Sequence, residues 1–183
     1  IFLFCFFQFN IIFAEELNFK ASEILTFEEG NLIVGKKEAE AKIDDKLEIY
    51  ADKFTYNKKK ETLLAEGNVK AIDLLNKITI NSEKILYNKI KNEIISYNKT
   101  NFDIHKKYSI ESENVLLSIL EAIISSNKKT KIIDNQDNKI ELSSFKYFNE
   151  TEIVKGKDIK IFDSDNNRYF IENGMLKLKE YIL

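Results

Sequence analysis

One pattern returns six times along this 183-residue chain, and it limits the possible folds more than any other feature. It runs apolar, any, apolar, any, small, any, any, apolar, and closes two residues later. The first copy is Leu17, Phe19, Ala21, Ile24, Thr26, and the second is Leu47, Ile49, Ala51, Phe54, Tyr56. Then come Ile78, Ile80, Ser82, Ile85, Tyr87, followed by Tyr108, Ile110, Ser112, Val115, Leu117. The last two are Ile140, Leu142, Ser144, Tyr147, Asn149 and Tyr169, Ile171, Asn173, Leu176, Leu178. The copies begin 30, 31, 30, 32 and 29 residues apart. A period in that range is the mark of a repeat architecture, in which each unit buries its apolar face only against its neighbours.

Alternation at period two predicts a strand with one buried face. The three-residue step after the small residue reverses that alternation, as a β-bulge does when it bends a strand and keeps the inner face inward. The bulges are expected at Ala51–Phe54 and Ser82–Ile85, with the Ala or Ser lying inside the bend. No segment sustains a helical stripe; Ser118–Ile124 imitates one turn, but its neighbours repeat as strands. A second strand fills the rest of each repeat. One face of it reads Leu63, Ala65, Gly67, Val69, Ala71, and the preceding copy gives Ile33, Gly35, Ala39, Ala41. Later copies give Ile94, Ser96, Thr100, Phe102, then Ile153, Ile159, Ile161. Polar turns are expected at 57–61, 74–77, 105–107, 126–130, 134–138 and 163–167, where Asn, Asp and Lys supply turn geometry. With no proline anywhere, every backbone amide is free to join a ladder. The expected fold is all-β: about eleven or twelve strands in stacked hairpins, with no internal domain boundary.

Residues 1–14, IFLFCFFQFNIIFA, carry no charge, and EEL follows at once. This stretch has the length of the apolar part of a signal peptide and is too short to span a bilayer. An exported chain is therefore expected, with residues 1–14 a partial signal peptide and 15–183 the mature domain. The start without Met or a basic stretch predicts sequence before residue 1, and the ending KLKEYIL, inside a repeat, predicts sequence after residue 183. Cys5 lies in the leader, so the mature domain would fold by burial and hydrogen bonding alone.

Charge and composition narrow the function. A net charge of −2 lacks the basic footprint that nucleic acid demands. Arg168 is the only arginine, so bidentate phosphate recognition is not a theme. His105, the single histidine, precedes Lys106 and Lys107 and reads as a solvated turn residue; without mature cysteines the usual transition-metal ligand set is missing. No carboxylate spacing singles out an acid–base pair, and five glycines form no phosphate loop. Neither a metal nor a cofactor is expected, and the chain does not read as an enzyme. The lysine clusters Lys36–Lys37, Lys58–Lys60, Lys106–Lys107 and Lys128–Lys129 read first as solubilising edges; the functional alternative is that they meet an anionic headgroup at a groove rim. Small inward residues leave room that a packed core would fill.

The phrases ASEILTFEEGNLIVG, YADKFTYNKKKETLLAEGNVKAID and INSEKILYNKIKNEIISYNKT resemble the OstA-like family of lipopolysaccharide transport. Tyr56, Asn57, Ala65, Gly67, Val69 and Asp73 carry the resemblance best. It covers essentially the whole expected mature domain and is clearest from Phe19 to Asn98. It implies an open β-jellyroll, or β-taco, whose apolar interior shields lipid A acyl chains in the periplasm. Members include the soluble bridge LptA, the anchored LptC and the N-terminal domain of the outer-membrane assembly protein LptD. Repeats directly after a signal peptide look most like the LptD domain, although the cysteines and barrel of that protein are absent; an LptA-like bridge and a purely structural β-solenoid are the alternatives. The implied lipid-binding residues are the inward ones: Phe19, Ile24, Ile49, Phe54, Tyr56, Leu63, Val69, Ile78, Ile80, Ile85, Tyr87 and Ile110. The implied partners are lipopolysaccharide, other OstA-like proteins paired through edge strands, and an outer-membrane barrel.

Overall fold

The computed structural model describes residues 17–165 and 167–178. The expected leader with Cys5, and the chain end after Leu178, lie outside the described residues. Strands β1 (Leu17–Lys20) and β2 (Glu23–Phe27) make the first pass of the chain. Single long passes follow: β3 (Leu32–Ile43), β4 (Leu47–Asn57), β5 (Thr62–Asp73), β6 (Ile78–Asn88) and β7 (Glu93–Ile104). The next three passes are each broken in the middle: β8 (Tyr108–Glu113) with β9 (Leu116–Ser118), β10 (Ile123–Ser126) with β11 (Thr130–Asp134), and β12 (Lys139–Leu142) with β13 (Ser144–Phe148). Strands β14 (Ile153–Phe162) and β15 (Arg168–Lys177) finish the stack. The eleven passes pair antiparallel with their chain neighbours, as an all-β hairpin stack requires.

Each pass bends at its middle, so the sheet folds into two leaves with their apolar faces together. The bends fall where the repeat predicts, with register shifts near Ala51 and Ser82. Between the pairs Lys36–Lys53 and Ala39–Ala51, however, β3 contributes Lys37 and Glu38 against Asp52 alone. Likewise Gly67 and Asn68 of β5 stand against Glu83 of β6. In β3, β5 and β7 the extra ladder residue therefore belongs to the second strand of the repeat, whereas β14 bends without one. Lys37, Glu38, Gly67, Asn68 and Asn98 all carry the left-handed backbone that such a bulge uses. Glycine fits best at Gly67, where a Cβ would run into the Asp52 carboxylate. Inside the bend, hydroxyls pair across strands: Ser82 with Thr100 at 3.1 Å and Ser112 with Thr130 at 2.8 Å.

The inner faces form one continuous core. Ile49 and Phe54, on either side of a bend, are buried in the same cluster, as the parity argument demands. Three local expectations are corrected. Residues 126–130 are the bend between β10 and β11 rather than a turn between passes; their Ser, Asn and Lys content suits either place. In β14 the inward residue is Val154, fully buried, because it lies opposite the buried Tyr147, and Ile153 faces outward. The five repeat positions are buried in the second and fourth copies, and in the third and fifth all but the half-buried Ser82 and Ser144 are, but Ile24, Thr26, Tyr169 and Asn173 of the end copies are exposed.

Candidate functional site: a cavity where the leaves part

Turns close both free margins of the folded sheet, and the two margins meet. Asn76 Nδ2 donates to the carbonyl oxygen of Ile119 at 2.9 Å, and Asn149 Nδ2 donates to the carbonyl of Asn76 at 3.0 Å. His105 Nε2 lies 3.2 Å from Asn149 Oδ1, so the histidine is a partnered seam residue and not a free turn residue. The Tyr108 hydroxyl donates to the buried carboxylate of Glu152 at 2.9 Å, and Lys107 pairs with the same group at 3.3 Å. Burial, and then the bond to Glu152, raise the Tyr108 phenol above its ordinary range. Asp73, also buried, accepts from both the backbone and the side chain of Asn76. Its carboxyl is pushed up by burial, against those two bonds. The large majority of buried polar groups in proteins are partnered in this way.

These bonds fix a stagger. The turn at 74–77 meets those at 119–122 and 149–152, and the turn at 105–107 meets the one at 149–152. One leaf is therefore displaced along the stack relative to the other. Among the described residues, its later turns at 135–137 and 163–165 form no bond of this kind across the seam. At that end its inner face runs past the opposite leaf and lines a cavity of about 540 Å³. Ile132, Ile140, Ile161 and Ile171 form the apolar wall, Tyr108 and Leu178 stand where the leaves still meet, and Tyr169 and Phe170 flank the opening. The volume lies in the range of small-molecule sites. At the other end the stagger is reversed: Ile24 lies opposite Gly35 on the inner face yet is 49% exposed. Phe19 reaches across there, stacking on Phe54 with centroids 4.8 Å apart and meeting Tyr56 at 5.2 Å.

The cavity rim is built twice from one device. Asp134 accepts from the amides of Gln136 and Asn138 and from Asn138 Nδ2. Asp163 accepts from the amides of Asp165 and Asn167 and from Asn167 Nδ2. Asn167 holds the Asp163 carboxyl below the usual carboxylate range. Asn138 Oδ1 ties the two turns together by accepting from the amide of Ser164. Among the described residues, no lysine or arginine lines the cavity. Lys36–Lys37 and Lys128–Lys129 belong to bends instead.

None of the twelve inward residues singled out from the sequence lines this cavity. Eleven of them are core or pack against it, and Ile24 lies at the far overhang. The cavity uses the same repeat positions in later copies, so Ile140, Tyr169, Ile171 and Leu178 were legible as inward. Of these, Tyr169 and Ile171 lose cover, whereas Ile140 and Leu178 stay buried. No group of metal-ligating side chains occurs among the described residues.

No family model matches the chain, and no curated protein matches it. Among solved structures it is similar to LptH, the LptA homologous periplasmic component of the conserved lipopolysaccharide transport device from Pseudomonas aeruginosa. The identity is 8%, the match covers 86% of this chain and 94% of that one, and the TM-score is 0.31. So distant a likeness carries no argument about ligand or mechanism, and the fold assignment rests on the strand register itself.

Proposed function

We propose that this chain is an exported lipid-carrying module of the OstA-like kind, which holds acyl chains of lipopolysaccharide on their way across the periplasm to the outer membrane. The observation that carries the reading is the apolar cavity at the staggered end. An acyl chain needs a dry aliphatic wall with an open mouth, and Ile132, Ile140, Ile161 and Ile171 provide one. The repeat phrases that resemble the OstA-like family support the same reading. The two overhangs bear opposite leaves, so an end-to-end partner of similar build would complete the missing layer at each end, with strand pairing through β15 or β1 and β2. That geometry suits a soluble LptA-like bridge as well as the N-terminal domain of an LptD-like protein. The residues that would hold acyl chains are those of the cavity first. The inward set from Phe19 to Ile110 would follow only if the leaves spread.

One observation favours a structural β-solenoid: the middle of the stack is filled, with Leu63, Ile78, Ile80 and Ile85 fully buried. Filling the cavity separates the two readings. Ile132→Trp should abolish binding of purified lipopolysaccharide and cost no more than about 1–3 kcal/mol of stability, the usual penalty for overpacking. A scaffold would bind no lipopolysaccharide in either form, and unchanged binding by the variant would place the lipid elsewhere.

A further inference from the structure

We propose that the outer face formed by β13, β14 and β15 docks on an anionic phospholipid surface. Lys146 and Lys155 stand directly opposite one another in the register, and Lys155 is opposite Met175, which is 56% exposed. One step along the strands, Lys157 lies between Ser144 and Asn173. One step the other way, Phe148 lies opposite Ile153, which lies opposite Lys177. On this face Lys146 and Lys157 thus stand beside Lys155, and none of the eight residues opposite or two along from it carries a carboxylate. Asp158 and Glu172 stand at the bend and Glu150 in the adjoining turn, and Asp158 accepts from Ser143 Oγ.

Like charges directly opposite on neighbouring strands are unfavourable. Several outer lysines elsewhere on this acidic chain meet carboxylates: Lys42 with Glu40 and Glu48, Lys53 and Lys84 with Glu66, Lys99 with Glu111. Here Lys146 and Lys155 instead flank the Phe148 ring, at 5.3 and 5.2 Å from its centroid. The cation–π contact offsets the repulsion without neutralising either charge. The result is a sheet face that alternates ammonium groups with Phe148, Ile153 and Met175. Basic side chains gain from the negative potential of anionic lipid, and apolar side chains beside them enter the interface. An acidic polypeptide would satisfy the lysines and leave the apolar residues unused. Strands β14 and β15 also carry Ile161, Tyr169 and Ile171 of the cavity, so such docking would bring the open end of the stack to a bilayer.

The test is flotation of the full chain with phosphatidylcholine vesicles, with and without phosphatidylglycerol. Residues 1–14 are uncharged, so their own partitioning is common to both arms. The expected result is a preference for the anionic vesicles that disappears at high salt. In Lys146→Gln/Lys155→Gln/Lys157→Gln it should fall by about tenfold or more. In Lys58→Gln/Lys59→Gln/Lys60→Gln, which loses the same charge from a turn, it should persist. The first variant should melt no lower than the parent, because its loss relieves a like-charge contact. The proposal is overturned if no anionic preference exists, if the first variant keeps it, if both variants lose it equally, or if polyglutamate binds these lysines and vesicles do not. The cavity variant Ile132→Trp should keep the preference, so failure here is distinct from failure of the lipid-carrier reading.

Discussion

Two tyrosines at the seam show what a single hydroxyl does in a dry interior. Tyr108 and Tyr147 are both buried, but the Tyr108 hydroxyl has Glu152 as acceptor, whereas the Tyr147 hydroxyl has no hydrogen-bond partner among the described residues. Burial raises both phenols, so each remains a neutral hydroxyl near neutral pH. The asymmetry of buried hydrogen bonding then sets the outcome. Tyr147→Phe should be neutral or stabilise by up to about 1 kcal/mol, whereas Tyr108→Phe, which takes a donor from a buried carboxylate, should cost about 1–3 kcal/mol. Equal changes in urea-denaturation midpoint for the two would contradict this assignment. The inward direction of both residues is legible from the repeat. Their different partners are not, because Glu152 lies 44 positions from Tyr108 and no local pattern ties the two.

At the scale of elements, the bends and the seam do different work. The bends are local events, fixed by small inward residues and left-handed bulge positions, and the sequence reveals them as a break in alternation. Where that signal is only compositional it misleads: the Asn and Lys of 126–130 suit a bend as well as a turn. Adjacent β-branched residues mislead too, since Ile153 and Val154 fit either face until Tyr147 is placed opposite one of them. The seam is a long-range event, with Asn149 bonded to the carbonyl of Asn76 across 73 positions, so periodicity carries no trace of it. Asn149→Ala removes both that bond and the partner of His105. It should cost about 1–2 kcal/mol. Hydrogen exchange should quicken at the amides of His105 and Asn149, whose acceptors Lys77 and Ala122 lie on the same margins. The amide of Lys58, bonded to Asn31 in the same manner but away from the bonds formed by Asn149, should be unchanged. Faster exchange everywhere would mean that the seam holds the whole stack and not one margin.

For the whole molecule, the decisive feature is the stagger between the leaves. Six near-identical repeats would give a uniform column if the leaves faced each other in step. Displaced, they give a filled middle and two half-covered ends, one of them the cavity. On the proposed reading, cargo would be held where a layer is missing and passed on when a neighbour supplies that layer. A photo-crosslinking residue placed at Ile171 in the cavity wall, or at Ile85 in the filled middle, tests this directly with lipopolysaccharide bound. The account predicts crosslinks to the acyl chains from Ile171 and essentially none from Ile85. Capture from Ile85 as efficient as from Ile171 would show lipid running through the middle of the stack, and no capture from either would leave the cavity without its proposed ligand.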